Sequence, residues 1–261
     1  MVVGSLAAAG PATASAAATP SVHHGTVSSH LPLFGHPMIR AGHGTQPLIR
    51  GGVHNASTTS SNWSGYAASG GTYTSVSASW TQPSVTCSGS KAQYSAFWVG
   101  LDGYSSQSVE QDGTEADCSG GSPVYDAWYE MYPSAPVNFP NTVRPGDHMS
   151  ASVTYNGGSS YTLKISDSTE GWNQSTNQSL SGAPNSSAEV IVEAPCCTVL
   201  GGPLQLAHFS PTSFTSSTVD GSAIGNFNPT EITMVGNNGD KDSISALSGG
   251  TNFTATWLAS K

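Results

Sequence analysis

From about residue 60 onward the chain repeatedly sets apolar and hydroxyl residues in one-to-one alternation, and this period of two restricts the fold more than any other feature. Val76, Ala78 and Trp80 alternate with Ser77, Ser79 and Thr81; successive side chains on opposite faces are the mark of a half-buried strand. Comparable segments run over 97–101, 124–132, 149–155, 161–165, 188–193, 206–209, 232–235 and 253–258. They are separated by Gly- and Asn-rich turn signals such as NGG and NNGD, which supply the positive φ that tight turns require. No stretch holds a sustained helical spacing. The expected class is therefore all-β, with many short strands closing into a sandwich or jelly roll. Six Trp, nine Tyr and seven Phe supply the apolar area for its core, while only 9% of residues are charged, so the surface must be rich in hydroxyls and amides.

Charge divides the chain. All sixteen carboxylates lie beyond residue 60, and the segment before it carries only Arg40, Arg50 and six of the eight histidines. Residues 1–19 read as a truncated secretory signal, with an apolar run broken by Pro11 and small residues suited to cleavage. Residues 20–58 read as a basic propeptide or linker, and 59–261 as a single acidic domain. A net charge of −9 argues against nucleic acid as a partner, since phosphate binding needs a basic face. It suits work at low pH, where protonation removes the self-repulsion of carboxylates. No segment has the roughly 18 apolar residues of a membrane helix. Cys87, Cys118, Cys196 and Cys197 fit an oxidising, extracellular setting. Three pairings are possible, of which Cys87 with Cys118 is the natural loop closure. Without a CxxC pair no zinc site is expected.

Three segments carry candidate chemistry. In VYDAWYEMYP at 124–133, Asp126, Trp128, Glu130 and Tyr132 share one strand face, carboxylates interleaved with aromatics, which is poor core material but good groove material. In AEVIVE at 188–193, Glu189, Ile191 and Glu193 share a face, so that a Glu beside apolar neighbours is partly desolvated, as a proton-transferring group requires. In WVGLDGYSSQSVEQDG at 98–113, Gln111 precedes Asp112-Gly113, read as a turn that holds its amide at a strand end. GxSxG, HExxH and aspartic-protease DTG or DSG signatures are absent; His148 and His208 are expected to be structural. Carboxyl and amide groups must carry any reaction.

Taken in order, SNWSGY at 61–66, FWVGLDG at 97–103, VEQDG at 109–113, YDAWYEMYP at 125–133 and AEVIVE at 188–193 resemble the glutamic peptidases, the G1 or eqolisin family, of which the chain is read as a bacterial member. The resemblance covers about residues 60–260. It implies a lectin-like, concanavalin-type sandwich of two antiparallel sheets with substrate across the concave one. It also implies a secreted, monomeric, pepstatin-insensitive endopeptidase active at acid pH on protein or peptide substrates, with no cofactor and no metal. By motif position the catalytic pair is Gln111 and Glu193, and Trp63, Trp98, Asp102, Asp126, Glu130 and Tyr132 are implied around the substrate. Two departures stand out. Acids at 110 and 112 flank Gln111, which is expected to move the pH optimum, and Cys196-Cys197 follows Glu193 closely, which is expected to change the family's cysteine pairing. The competing reading is a glycoside hydrolase or lectin on a similar sandwich, with Glu130 and Glu193 as the paired carboxylates; an inert secreted module is the third.

Overall fold

The computed structural model describes Met1 and residues 57–104, 106–195 and 203–261. Contacts divide the chain into units Met1–Leu33 and Phe34–Lys261. Apart from Met1, the signal-like segment lies outside the described residues, as do most of the propeptide reading, Cys196 and Cys197. Strands account for nearly all regular structure: β1 (Ser57–Ser60), β2 (Trp63–Ser69), β3 (Ser75–Thr81), β4 (Val85–Thr86), β5 (Ala96–Leu101), β6 (Val109–Ser119), β7 (Ser122–Tyr132), β8 (Val137–Asn138), β9 (His148–Gly157), β10 (Ser160–Asp167), β11 (Trp172–Ser179), β12 (Ser187–Glu193), β13 (His208–Phe209), β14 (Thr212–Val219), β15 (Ser222–Ala223), β16 (Thr230–Gly236), β17 (Gly239–Asp240), β18 (Asp242–Ile244) and β19 (Phe253–Trp257). One 3-10 turn, Ile224–Phe227, interrupts them. No helix among the described residues is long and apolar enough to cross a membrane.

Two large sheets form the expected sandwich. One has the order β1-β16-β2-β12-β5-β6-β7-β8, the other β11-β10-β9-β3-β14-β19-β18. Pairing is antiparallel except at one edge, where β1 runs parallel to β16. Between the sheets lies a core built by the alternation read from sequence. Phe97, Val99 and Leu101 of β5 and Val190 and Val192 of β12 face Val76, Ala78 and Trp80 of β3 and Leu163 and Ile165 of β10. Phe97 meets Phe209 edge to face at 5.3 Å between ring centres, and Phe214 stacks on Phe253 at 4.9 Å. Cys87 and Cys118 are joined as expected, across a sequence separation of 31 residues, a loop closure that removes unfolded-state freedom equivalent to about 3 kcal/mol.

The structure corrects the reading of 109–119. Asp112-Gly113 is no turn; it sits in the middle of β6, an eleven-residue strand. Gly113 pairs with Trp98 on one side and Trp128 on the other. A β-carbon on Gly113 would lie 2.3 Å from the Phe97 carbonyl oxygen and 2.6 Å from Trp98 Cβ. Close approach of a neighbouring strand, not a reversal of the chain, is what requires glycine here.

The outer face of the second sheet is mostly a field of short neutral side chains, with Lys164 among them. Ser77, Ser79, Ser150, Ser152, Ser166 and Ser175 line a shallow groove of about 600 Å³ on it. Cross-strand bonds tie the field together: Ser77 to Thr218 at 2.7 Å, Ser79 to Ser150 at 2.7 Å, and Thr162 to Asn177 at 2.8 Å.

Candidate active site

The register of the first sheet arranges its other face into three rows. One row holds Trp63, Glu193, Ala96, Glu115 and Asp126 across β2, β12, β5, β6 and β7. Two residues along lie Gly65, Ile191, Trp98, Gly113 and Trp128, and two further along Ala67, Glu189, Gly100, Gln111 and Glu130. Carboxyl and amide groups thus occupy the outer rows, and an apolar row separates them. The faces read from β7 and β12 are the observed ones: Asp126, Trp128 and Glu130 lie on this side, as do Glu189, Ile191 and Glu193.

Glu193 ends β12 and has no exposed surface. Trp98 Nε1 donates to its Oε2 at 3.0 Å, and Asn62 Nδ2 donates to its Oε1 at 3.1 Å. Burial, and then the charge of Glu130, push its carboxyl well above the ordinary range; the Trp98 and Asn62 donors pull it back. Gln111 is equally buried. Its Nε2 donates to Glu130 Oε2 at 2.6 Å, while its Oε1 accepts no bond among the described residues. Burial raises Glu130 to about 8, against the lowering effect of the Gln111 amide. Gln111 and Glu193 are therefore linked through Glu130, which bonds the first and acts through space on the second.

Trp98 forms the floor between them. Its indole reaches Glu193 at one end, and its Cζ3 lies 2.9 Å from where a β-carbon on Gly100 would be, in the row of Gln111. Trp63 meets Trp98 edge on at 5.0 Å. Gly100 and Gly113 leave the space that this ring fills. An alanine at Gly113 is expected to displace Trp98 from Glu193, costing about 2 kcal/mol of stability from overpacking. Thermal melting and proteolytic rate, compared with the parent chain, check this; an unchanged melt and rate would contradict the packing argument.

The remaining site residues divide. Tyr132 packs, partly exposed, against the Trp63–Trp98–Trp128 cluster. Asp126 interacts with Glu115, whose own carboxyl is raised by burial and then by Asp117 and Asp126. Asp102 is not brought into the rows. It takes a left-handed φ of 68° and accepts the backbone N–H groups of Asn185 and Ser186 at 2.8 and 2.7 Å, so its carboxylate holds a loop together. Glu110 and Asp112 also differ from expectation. They point to the opposite face of β6, into the sandwich interior, where burial raises Glu110 to about 9 and Asp112 well above its usual range. His148 is exposed and His208 stacks on Trp257 at 3.9 Å. Sequence reasoning passed over Asn62, Glu115 and Asp117. Asn62 had a signal, standing directly before Trp63; the two acids had none beyond parity with Gln111.

Comparison with known proteins bears on this arrangement. Residues 61–257 match the model of the Peptidase A4 family. Scytalidopepsin B of Scytalidium lignicola is 33% identical over 190 residues, 68% of this chain and 71% of that protein. Aspergillopepsin-2 of Aspergillus niger is 30% identical over 228 residues, 76% of this chain and 78% of that one. Scytalido-glutamic peptidase, solved with a transition-state analogue inhibitor, superposes with a TM-score of 0.67 at 28% identity, covering 76% of this chain and 98% of that one.

Proposed function

The chain belongs to the Peptidase A4 family, the glutamic peptidases also called G1 peptidases or eqolisins, and from that membership we propose that it is a secreted endopeptidase that cleaves proteins at acid pH with Glu193 and Gln111. The observation that carries this reading is Glu193 itself: a buried carboxyl with a raised proton affinity, held by Trp98 and Asn62 on the same face as Gln111. A carboxyl can both take and return a proton in one cycle, and the Trp98 and Asn62 donors, which oppose the effect of burial, favour the ionised form that takes it. Glu193 accepts a proton from water as the water oxygen bonds to the scissile carbonyl carbon, and the carbonyl π pair moves to oxygen. The second N–H of the Gln111 amide faces that oxyanion, a fixed dipole that needs little reorganisation, and its unpartnered Oε1 orients the water. Glu193 then delivers the proton to the amide nitrogen as the C–N bond breaks. Trp63, Trp98, Asp126, Glu130 and Tyr132 supply the walls against which an extended peptide lies.

In this reading an activation step precedes catalysis. Removal of the leader, with 1–19 as export signal and 20–58 as propeptide, is the event that the charge asymmetry suggests. The carbohydrate-active reading gains no support: Glu130, its second carboxyl, is occupied by the Gln111 amide.

The test is digestion of a denatured protein by the full chain after acid incubation, at about pH 4, with and without pepstatin, followed by peptide mapping. Internal cleavage unaffected by pepstatin is expected. Absence of cleavage, or its loss with pepstatin, would refute the proposal.

A further inference from the structure

A cavity of about 860 Å³ has a lining that includes Ser61, Tyr94, Leu204 and three lysines, Lys91, Lys241 and Lys261. The domain beyond residue 60 has only five Lys and Arg residues. Of the other two, Arg144 pairs with Glu170 at the surface, and Lys164 lies on the hydroxyl face of the second sheet. Most of the domain's cationic charge is thus gathered around one cavity, and no Asp or Glu is among its lining residues.

The cavity is built into the fold. Lys241 is 4% exposed and its Nζ donates to the Ser61 carbonyl at 2.9 Å. The Lys241 carbonyl accepts the N–H groups of Leu258 and Ala259 at 2.8 and 2.9 Å, which pins the segment that ends in Lys261. Gly236 admits that segment: a β-carbon there would fall 2.2 Å from the Lys261 carbonyl carbon. Ser61 directly precedes Asn62, the residue that donates to Glu193, and Tyr94 has the groove-face parity of β5, two residues beyond Ala96. Cavity and candidate active site therefore adjoin.

We propose that this cavity binds the free C-terminal carboxylate of a peptide whose scissile bond lies at Glu193, so that the enzyme favours bonds a short, fixed distance from a chain end. The proposal rests on the peptidase reading above. Its chemistry is selective in acid. An α-carboxyl titrates near about 3.5, below side-chain carboxyls, so it is the anion that persists on a peptide at about pH 4.5. Lysines remain cationic there, while Glu130, raised to about 8 by burial, is neutral. The lysines are then the charges that a bound peptide meets. Tyr94 and Leu204 offer apolar contact to its last side chain.

The test uses paired fluorogenic peptides of one sequence, ending in a free acid or an amide, with one to four residues beyond the cleaved bond. At one length the acid should show kcat/KM about fivefold above the amide, the scale of a few partly exposed ion pairs. Lys91→Ala with Lys261→Ala should bring that ratio to about one while leaving long, amidated substrates unaffected. An acid-to-amide ratio of one at every length would overturn the proposal. Binding is read separately, by fluorescence anisotropy of labelled acid and amide peptides on the full chain after acid incubation. Equal affinities overturn the proposal. A preference for the acid, lost in the double variant, sustains the carboxylate site even where no peptide is cleaved, in which case it is the peptidase reading that falls.

Discussion

Glu193→Gln is expected to lower the rate of proteolysis by about 10³-fold or more while the sandwich stays folded, because it removes the one group assigned to carry the proton in both directions. The substitution is close to isosteric, and its effect on stability has a calculable sign. Trp98 Nε1 and Asn62 Nδ2 both donate to Glu193; glutamine has a single acceptor oxygen, so one bond is lost, at a cost of about 1 kcal/mol. Against this, Glu193 binds its proton more tightly when folded than when unfolded, a source of stability that fades as pH rises, whereas glutamine has no proton to lose. The variant should therefore melt slightly below the parent in acid and level with it or above it near neutrality. Circular dichroism melts at both pH values, with digestion assays in acid, separate loss of chemistry from loss of fold. Full proteolysis by the variant would remove Glu193 from the mechanism. Gln111→Ala should cost about 10²- to 10³-fold, the scale of one oxyanion donor.

The melting temperature of the domain should fall steadily as pH rises from about 4 to about 9. Eleven of the sixteen carboxylates are buried, and none of these eleven is ion-paired with Lys or Arg among the described residues. Burial raises Asp112, Glu115, Asp117, Glu189 and Glu193 well above the ordinary carboxyl range. Burial raises Glu110 to about 9, Glu130 to about 8 and Asp242 to about 7. A carboxyl with a raised folded pKa holds its proton in the native state when the unfolded chain has released it. The stabilising contribution is thus complete below the unfolded pKa and is lost as pH climbs through the folded one. For Glu110, with an ordinary value of 4.5, the loss at neutral pH is about 3 kcal/mol. Glu110→Gln should restore that amount near neutrality, a gain on the order of 10 °C, and change little in acid. A melting temperature that is flat or rising over this range would show that these groups are solvated or paired after all.

The same protons explain what was and was not legible in the sequence. β3, β7, β10 and β12 were readable because apolar residues alternate with polar ones, β5 because it is a short continuous apolar run, and for β7 and β12 the alternation identified the face on which Glu130 and Glu193 lie. β6 was not. VEQDGTEADCS carries four acids and an Asp-Gly pair, and a local reading takes charge for exposure and Asp-Gly for a turn. Only the tertiary setting, in which Trp98 presses on Gly113 and both faces of β6 are covered, makes it a central strand. β11, WNQSTNQS, is an edge strand without an apolar partner set, and its polar run gave nothing to read. Asp102 was singled out by motif position, but its role depends on a left-handed backbone that brings its carboxylate to the 185–186 amides, which no spacing encodes.

The hydroxyl field on the second sheet bears on how such a protein stays dispersed in acid. As acid protonates the carboxylates that are still ionised, the molecule passes through electrical neutrality on its way to a positive charge, where charge repulsion between copies vanishes and proteins tend to precipitate. Serine and threonine hydroxyls and asparagine amides do not titrate in that interval. A sheet face that binds water through them keeps its hydration layer at every pH along the way, giving colloidal stability that is insensitive to both acid and salt.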